Sequence, residues 1–157
     1  VSKAYSMTGW RIGYAAGPAK IIGAMKKIQS QSTSNPCSIS QAAATAALDG
    51  DQACVGEMVK AFKERHDWLV DALNKLPGVE CPYGDGTFYV FPSFQGAIDA
   101  TEGVSTDVEF AEKLLTEAGV ALVPGSAFGS PGHMRLSFAT SMDNLRKAIE
   151  RLQKALG

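Results

Sequence analysis

Three cations stand where their neighbours invite chemistry: Lys3, Arg11 and Arg135. Lys3 follows Ser2 and opens the run Ala4-Tyr5-Ser6-Met7-Thr8-Gly9-Trp10-Arg11, in which hydroxyls, a glycine and a guanidinium crowd around one amine. A lysine partly desolvated near another fixed cation has its pKa lowered, and the neutral amine can attack a carbonyl to form an imine. Hydroxyls and a guanidinium beside it supply the charge-assisted and bidentate hydrogen bonds that suit a phosphate dianion. The same residues also fit a solvated terminal lysine, and composition does not choose between the two.

Arg135 lies in His133-Met134-Arg135-Leu136-Ser137-Phe138. Period-two alternation sends Met134, Leu136 and Phe138 to one face and Arg135, Ser137 and Ala139 to the other. A guanidinium on that polar face is either half of an exposed cross-strand charge pair or a fork for a substrate carboxylate, a task that suits Arg better than Lys. Spacing leaves both open.

The elements that must position these residues follow from periodicity and punctuation. Arg11 to Ala16 is short, mostly apolar and bounded by Gly17-Pro18, which suits a strand, and Pro18 can start a helix carrying Ile21, Ile22, Met25 and Ile28 to residue 29. The polar run Gln31 to Asn35 and Pro36 then reads as a loop. Ser38 is placed to cap a second helix with the small face Ile39, Ala42, Ala43, Ala46 and Ala47, closed by Gly50. Val55, Met58, Val59, Phe62, Leu69, Leu73 and Leu76 keep helical spacing in a long third helix ended by Pro77-Gly78.

Val79 to Cys81 and Thr87 to Phe91 read as strands of a hairpin around Tyr83-Gly84-Asp85-Gly86, and residues 93 to 105 as a surface loop. Thr106 with Glu109 forms a capping box for a helix striped by Ala111, Leu114, Leu115 and Ala118 and ended by Gly119. Val120 to Val123 and His133 to Ala139 read as strands around a Pro-Gly-rich loop, and Ser141 opens a last helix with Leu145, Ala148, Ile149 and Leu152 on one face. The mixed order predicts an α/β fold, a sheet covered by helices, without internal repeats.

The 157 residues suffice for one core, so one compact unit is the default. Fifteen basic and 16 acidic residues, spread along the chain for a formal charge of -1, leave no footprint for nucleic acid or an anionic membrane. Cys37, Cys54 and Cys81 are too few and too far apart for a disulfide framework or a zinc site, and a reducing cytoplasm is expected. No apolar run approaches the roughly 18 residues of a membrane helix. The opening lacks Met and a charged-then-apolar leader, so no signal peptide is expected and the first residue reads as a cut.

Ser2-Lys3-Ala4-Tyr5-Ser6-Met7-Thr8-Gly9-Trp10-Arg11-Ile12-Gly13 closely resembles the cofactor-lysine signature of class I aminotransferases of fold type I. The resemblance continues through Ser32-Thr33-Ser34-Asn35-Pro36, Gly86-Thr87-Phe88-Tyr89-Val90-Phe91, Val123-Pro124-Gly125-Ser126-Ala127-Phe128-Gly129 and Met134-Arg135-Leu136-Ser137-Phe138-Ala139. The Thr-Ser-Asn-Pro and Pro-Gly-Ser-Ala-Phe-Gly loops look most like those of bacterial-type aspartate aminotransferases.

The resemblance implies a fold: residues 1–50 as the tail of the large cofactor domain with connecting helices, and residues 51–157 as the C-terminal small domain led by a long interdomain helix. It also implies roles. Lys3 would hold pyridoxal 5'-phosphate as an imine and shuttle the proton between the substrate Cα and the cofactor; Ser2 and Arg11 match positions that hold its phosphate. Arg135 matches the clamp on the substrate α-carboxylate, and Asn35 and Phe88 resemble rim positions.

The implied reaction transfers the amino group of L-aspartate to 2-oxoglutarate, giving oxaloacetate and L-glutamate, in a cytoplasmic homodimer. No arginine lies between Arg11 and Arg65, so residues 30 to 37 offer no clamp for a side-chain carboxylate, and aromatic, alanine or prephenate transamination stays open. Other expectations are a cofactor-dependent lyase, or an isolated domain without catalysis. Family residues that precede the lysine are not in this chain, which by itself is expected to show little or no transaminase activity.

Overall fold

The computed structural model describes residues 1–157, which divide into two compact units, Val1–Val59 and Lys60–Gly157. The single unit expected from length is not what forms, because nearly all buried apolar side chains fall in the second unit.

The first unit holds α1 (Ala19–Ser32), α2 (Ser38–Asp49) and the start of α3 (Ala53–Leu73), which continues into the second. Arg11 to Ala16 forms no strand: this unit contains no other strand, and a ladder needs a partner. Pro18 sits just outside α1 at its cap position, and its carbonyl takes the Ile22 N–H at 3.1 Å. The helix outruns the expected stop at residue 29 and reaches Ser32, its end closed by the Thr33 N–H on the Gln29 carbonyl. Ser34 then turns left-handed at φ 65° ahead of Asn35-Pro36.

Cys37 rather than Ser38 occupies the cap of α2, and no side chain caps it. The face of α2 that is turned inward is Ser40, Ala43, Ala44 and Ala47, rotated from the expected stripe so that Ile39, Ala42 and Ala46 are exposed. The C-terminal end of α2 is held by Gln52, whose Nε2 donates to the carbonyls of Ala47, Leu48 and Gly50.

In the second unit α3 contributes Leu69, Val70, Ala72 and Leu73 to a core shared with Phe94, Phe110, Met134, Phe138, Ile149 and Leu152. The core rests on a three-stranded sheet ordered β1 (Tyr89–Val90), β3 (Met134–Ser137), β2 (Val123–Pro124), antiparallel throughout. Helices α4 (Gln95–Asp99), α5 (Asp107–Lys113) and α6 (Met142–Leu156) complete the unit, which is thus α/β as expected.

The hairpin of residues 79–81 with 87–91 does not form. Both backbone groups of Cys81 are taken by the Asn74 side chain, at 2.8 and 2.9 Å, and Glu80 bridges Ser93 instead. β1 finds β3, with Val90 opposite Leu136. Residues 93–105 are not a surface loop, since Phe94, Ala97 and Ile98 are core residues on or beside α4. Gly78 makes that seat possible: at φ 70° it lies so close to Gly96 and Ala97 that a Cβ would meet the Ala97 nitrogen at 2.3 Å.

The capping box forms as its spacing predicts, with the Glu109 N–H on Thr106 Oγ1 and Glu109 Oε2 accepting from Ser105 and Thr106. Beyond Lys113 the helix widens into a π turn, Leu114–Ala118, closed by left-handed Gly119. Ala111 and Leu114 are buried, and the wider turn leaves Leu115 exposed. Strand pairing on that side begins only at Val123, although Val120 is buried. α6 starts as expected, with Ser141 Oγ accepting from Asn144, and buries Leu145, Ile149 and Leu152.

Candidate functional site

Ser2, Lys3 and Arg11 lie within one irregular segment of the first unit, a series of turns ending in a 3-10 turn at Thr8–Trp10. The turns are closed by the Tyr5 N–H on the Val1 carbonyl and the Ser6 N–H on the Lys3 carbonyl, both 3.2 Å. Buried Met7 anchors the middle, and Tyr5 ties the segment to α2's end by donating its hydroxyl to Gln52 Oε1 at 2.7 Å. Ser6 and Arg11 both take left-handed backbones, φ 53° and 49°, and such strain gathers at functional segments.

Lys3 is exposed and Ser2 half-buried. Arg11 is exposed and spends one Nη on the Thr8 carbonyl at 2.9 Å, which fixes the guanidinium while leaving further donors directed elsewhere. A hydroxyl, a guanidinium and an amine within one tight segment form a donor set that fits the phosphate and aldehyde of pyridoxal phosphate. Asn35 is exposed in the loop between α1 and α2.

The second unit holds Phe88 and Arg135. Phe88 is half-buried, its ring edge-on to Tyr89 at 5.4 Å and its carbonyl accepting from the Phe138 N–H at 2.9 Å. The alternation expected for β3 holds, with Met134, Leu136 and Phe138 inward and Arg135 and Ser137 on the other face. Arg135 is in no charge pair: the ion pairs of this unit are all made by other residues. Its guanidinium carbon lies 4.7 Å from the ring centre of Phe128 and 5.5 Å from that of Tyr89. Phe128 also meets Phe91 at 6.1 Å, and Phe91 stacks on His133 at 5.3 Å. Two aromatic rings thus lie at cation–π distance from the guanidinium, and a guanidinium without an acidic partner has N–H donors suited to a carboxylate.

Three contributors were not singled out from sequence. Gln52 supports the lysine segment from 47 residues after Tyr5, and Tyr89 and Phe128 frame Arg135 from separate elements. For Tyr89 and Phe128, the flanking motifs that carry the family resemblance were a signal; for Gln52 there was none.

The chain thus joins a turn-rich segment bearing a hydroxyl, an amine and a guanidinium to a small α/β unit bearing an arginine flanked by aromatic rings. Residues 1–152 match the aminotransferase class I and II family model, and the chain belongs to that family. It is 55% identical to the aspartate/prephenate aminotransferase of Nitrosomonas europaea, over 99% of this chain and 41% of that protein. It is 53% identical to the aspartate aminotransferase of Geobacillus stearothermophilus, over 98% and 39%. The crystal structure of the Rhizobium meliloti aspartate aminotransferase superposes with a TM-score of 0.91 at 46% identity, covering 99% of this chain and 40% of that one. The chain therefore spans about two fifths of the length of these relatives. No helix is long and apolar enough to cross a membrane.

Proposed function

We propose that the protein carrying this chain is a pyridoxal-phosphate-dependent aminotransferase that moves the amino group of L-aspartate to 2-oxoglutarate, giving oxaloacetate and L-glutamate. The observation that carries the reading is Arg135, a guanidinium at cation–π distance from two rings and without an acidic partner, in a chain of this family. The names of the relatives at 53–55% identity support aspartate as donor. We assign residues 1–50 to the tail of the large domain and 51–157 to the small domain led by α3. A cytoplasmic homodimer acting on amino-acid and 2-oxo-acid substrates completes the reading.

In this assignment Lys3 Nζ would hold the cofactor and would move the proton between the substrate Cα and the cofactor. Ser2 Oγ and Arg11 hold the phosphate, with Arg11 pre-set by its bond to the Thr8 carbonyl. Bound pyridoxal phosphate supplies the electron sink for the charge left at Cα. Arg135 grips the α-carboxylate in a bidentate fork and so orients the Cα–H bond, selecting proton loss over decarboxylation. Asn35 and Phe88 line the rim.

A second reading, transamination of prephenate, is favoured by the aspartate/prephenate name of the Nitrosomonas relative. The test is a coupled assay of the complete protein with aspartate, phenylalanine, alanine or glutamate as donor and 2-oxoglutarate or prephenate as acceptor. Turnover should depend on added cofactor, favour aspartate, and fall by about 10³-fold or more in Lys3→Ala. A Lys3→Ala protein transaminating at the parent rate overturns the reading, whereas preference for another donor overturns only the substrate.

A further inference from the structure

The turn that carries Phe128 is held by a buried carboxylate that serves nothing else in sight. Asp107 is the first residue of α5 and only 4% exposed, and its Oδ2 accepts the Ser126 N–H at 2.6 Å, across 19 residues of chain. A buried carboxylate is costly unless well partnered. Asp107 is not needed to cap its own helix, because Thr106 and Glu109 already satisfy the first turn reciprocally.

What the bond does is fix the 3-10 turn Gly125–Phe128. That turn is also held by the Gly125 N–H on the His133 carbonyl at 2.7 Å, the Ser130 N–H on the Gly125 carbonyl at 3.0 Å and the Gly129 N–H on the Ser126 carbonyl at 3.1 Å. Gly125 is wedged so tightly that a Cβ would lie 2.2 Å from the Ser130 oxygen. Phe128, two residues past Ser126, is 51% exposed, so its ring is placed over Arg135 by the backbone turn and one edge contact with Phe91 rather than by burial.

We propose that Asp107 is a positioning residue for substrate binding, acting through the Ser126 amide and Phe128 to hold the Arg135 guanidinium in the plane that receives the α-carboxylate. The inference rests on the reading of Arg135 as carboxylate clamp. Asp107 touches no substrate; it acts through the orientation of Arg135, so its loss weakens substrate binding most and, because Arg135 also orients the Cα–H bond, slows proton transfer to a smaller degree.

The experiment compares Asp107→Ala, Asp107→Asn, Phe128→Leu and Arg135→Lys in the complete protein. It measures kcat, KM for aspartate, the dissociation constant of maleate as an unreactive dicarboxylate, and the thermal midpoint. Asp107→Ala and Phe128→Leu should each raise KM and the maleate constant about fivefold, with a smaller fall in kcat. Asp107→Asn keeps an oxygen for the Ser126 N–H and should recover most of the loss. Parent values of KM and maleate affinity in a folded Asp107→Ala overturn the proposal. Should Asp107→Ala not fold, unchanged maleate affinity in Phe128→Leu overturns it equally. If Arg135→Lys itself leaves both constants unchanged, the clamp reading falls; if only Arg135→Lys weakens binding, the clamp stands and the role of Asp107 falls.

Discussion

Between Val1 and Val59 only Met7 and Ser40 are buried, whereas Lys60–Gly157 encloses a continuous apolar core running from Leu69 to Leu152. The first region, which carries Lys3 and Arg11, keeps its shape through short-range backbone bonds and the Tyr5–Gln52 link. The second, which carries Arg135, is set by burial, with β3 threaded between β1 and β2 and one face sealed by Met134, Leu136 and Phe138. Burial of apolar surface is the dominant favourable contribution to folding, so within this chain stability is concentrated in the second region.

The sharpest way to break this contrast is a matched pair of truncations. Phe94→Ala, at a fully buried site, should cost about 3–5 kcal/mol in urea unfolding followed by circular dichroism. Ile28→Ala in α1, at a side chain 70% exposed, should stay within about 0.5 kcal/mol. Similar losses from the two would refute a core confined to the second region.

Thiol reactivity gives a smaller reading of the same contrast. Burial pushes the Cys81 thiol up to about 11 from 9.0, while the backbone amides of Ser40 and then Ile39 lower that of exposed Cys37. That rise cuts the Cys81 thiolate about 100-fold, before shielding is added. Mass-mapped labelling at pH 8 should therefore modify Cys37 first and Cys81 only on unfolding. The sign for stability follows: a thiol whose folded pKa is raised contributes stability fully present below pH 9 and lost as pH rises toward 11.

The smallest effect is local to α5. Thr106→Ala should cost about 1 kcal/mol at neutral pH by calorimetry. Glu109 is held below its usual 4.5 by the Ser105 amide, then by the Thr106 side chain and amide. Its contribution is present above the ordinary carboxylate range and is lost as pH falls through the lowered value, so the gap between parent and variant should narrow in acid. A gap that widens there would refute the reciprocal box.

How much was legible depended on range. The capping box at Thr106 and Glu109, the stripe of α6 and the alternation of β3 were all readable, because a helix turn or a pleat is decided by residues within about four positions. The 79–81 hairpin fails because Asn74 consumes the Cys81 backbone, and 93–105 resembles a loop in sequence because Phe94 and Ile98 become buried only where Gly78 lets α4 approach. The polar face of Arg135 followed from alternation, but its lack of an acidic partner did not.

The sequence by itself determined the chemical inventory and its order: a lysine among hydroxyls with an arginine close behind, and a second arginine on the polar side of an alternating strand. Tertiary structure alone decided that Tyr89 and Phe128 flank that second arginine and that Asp107 accepts from the turn that carries Phe128. The physical reason is that side-chain type and local period are properties of neighbours in the chain. A strand's partner, a ring over a guanidinium and a buried carboxylate's donor come from residues far apart in sequence, brought together when the core closes.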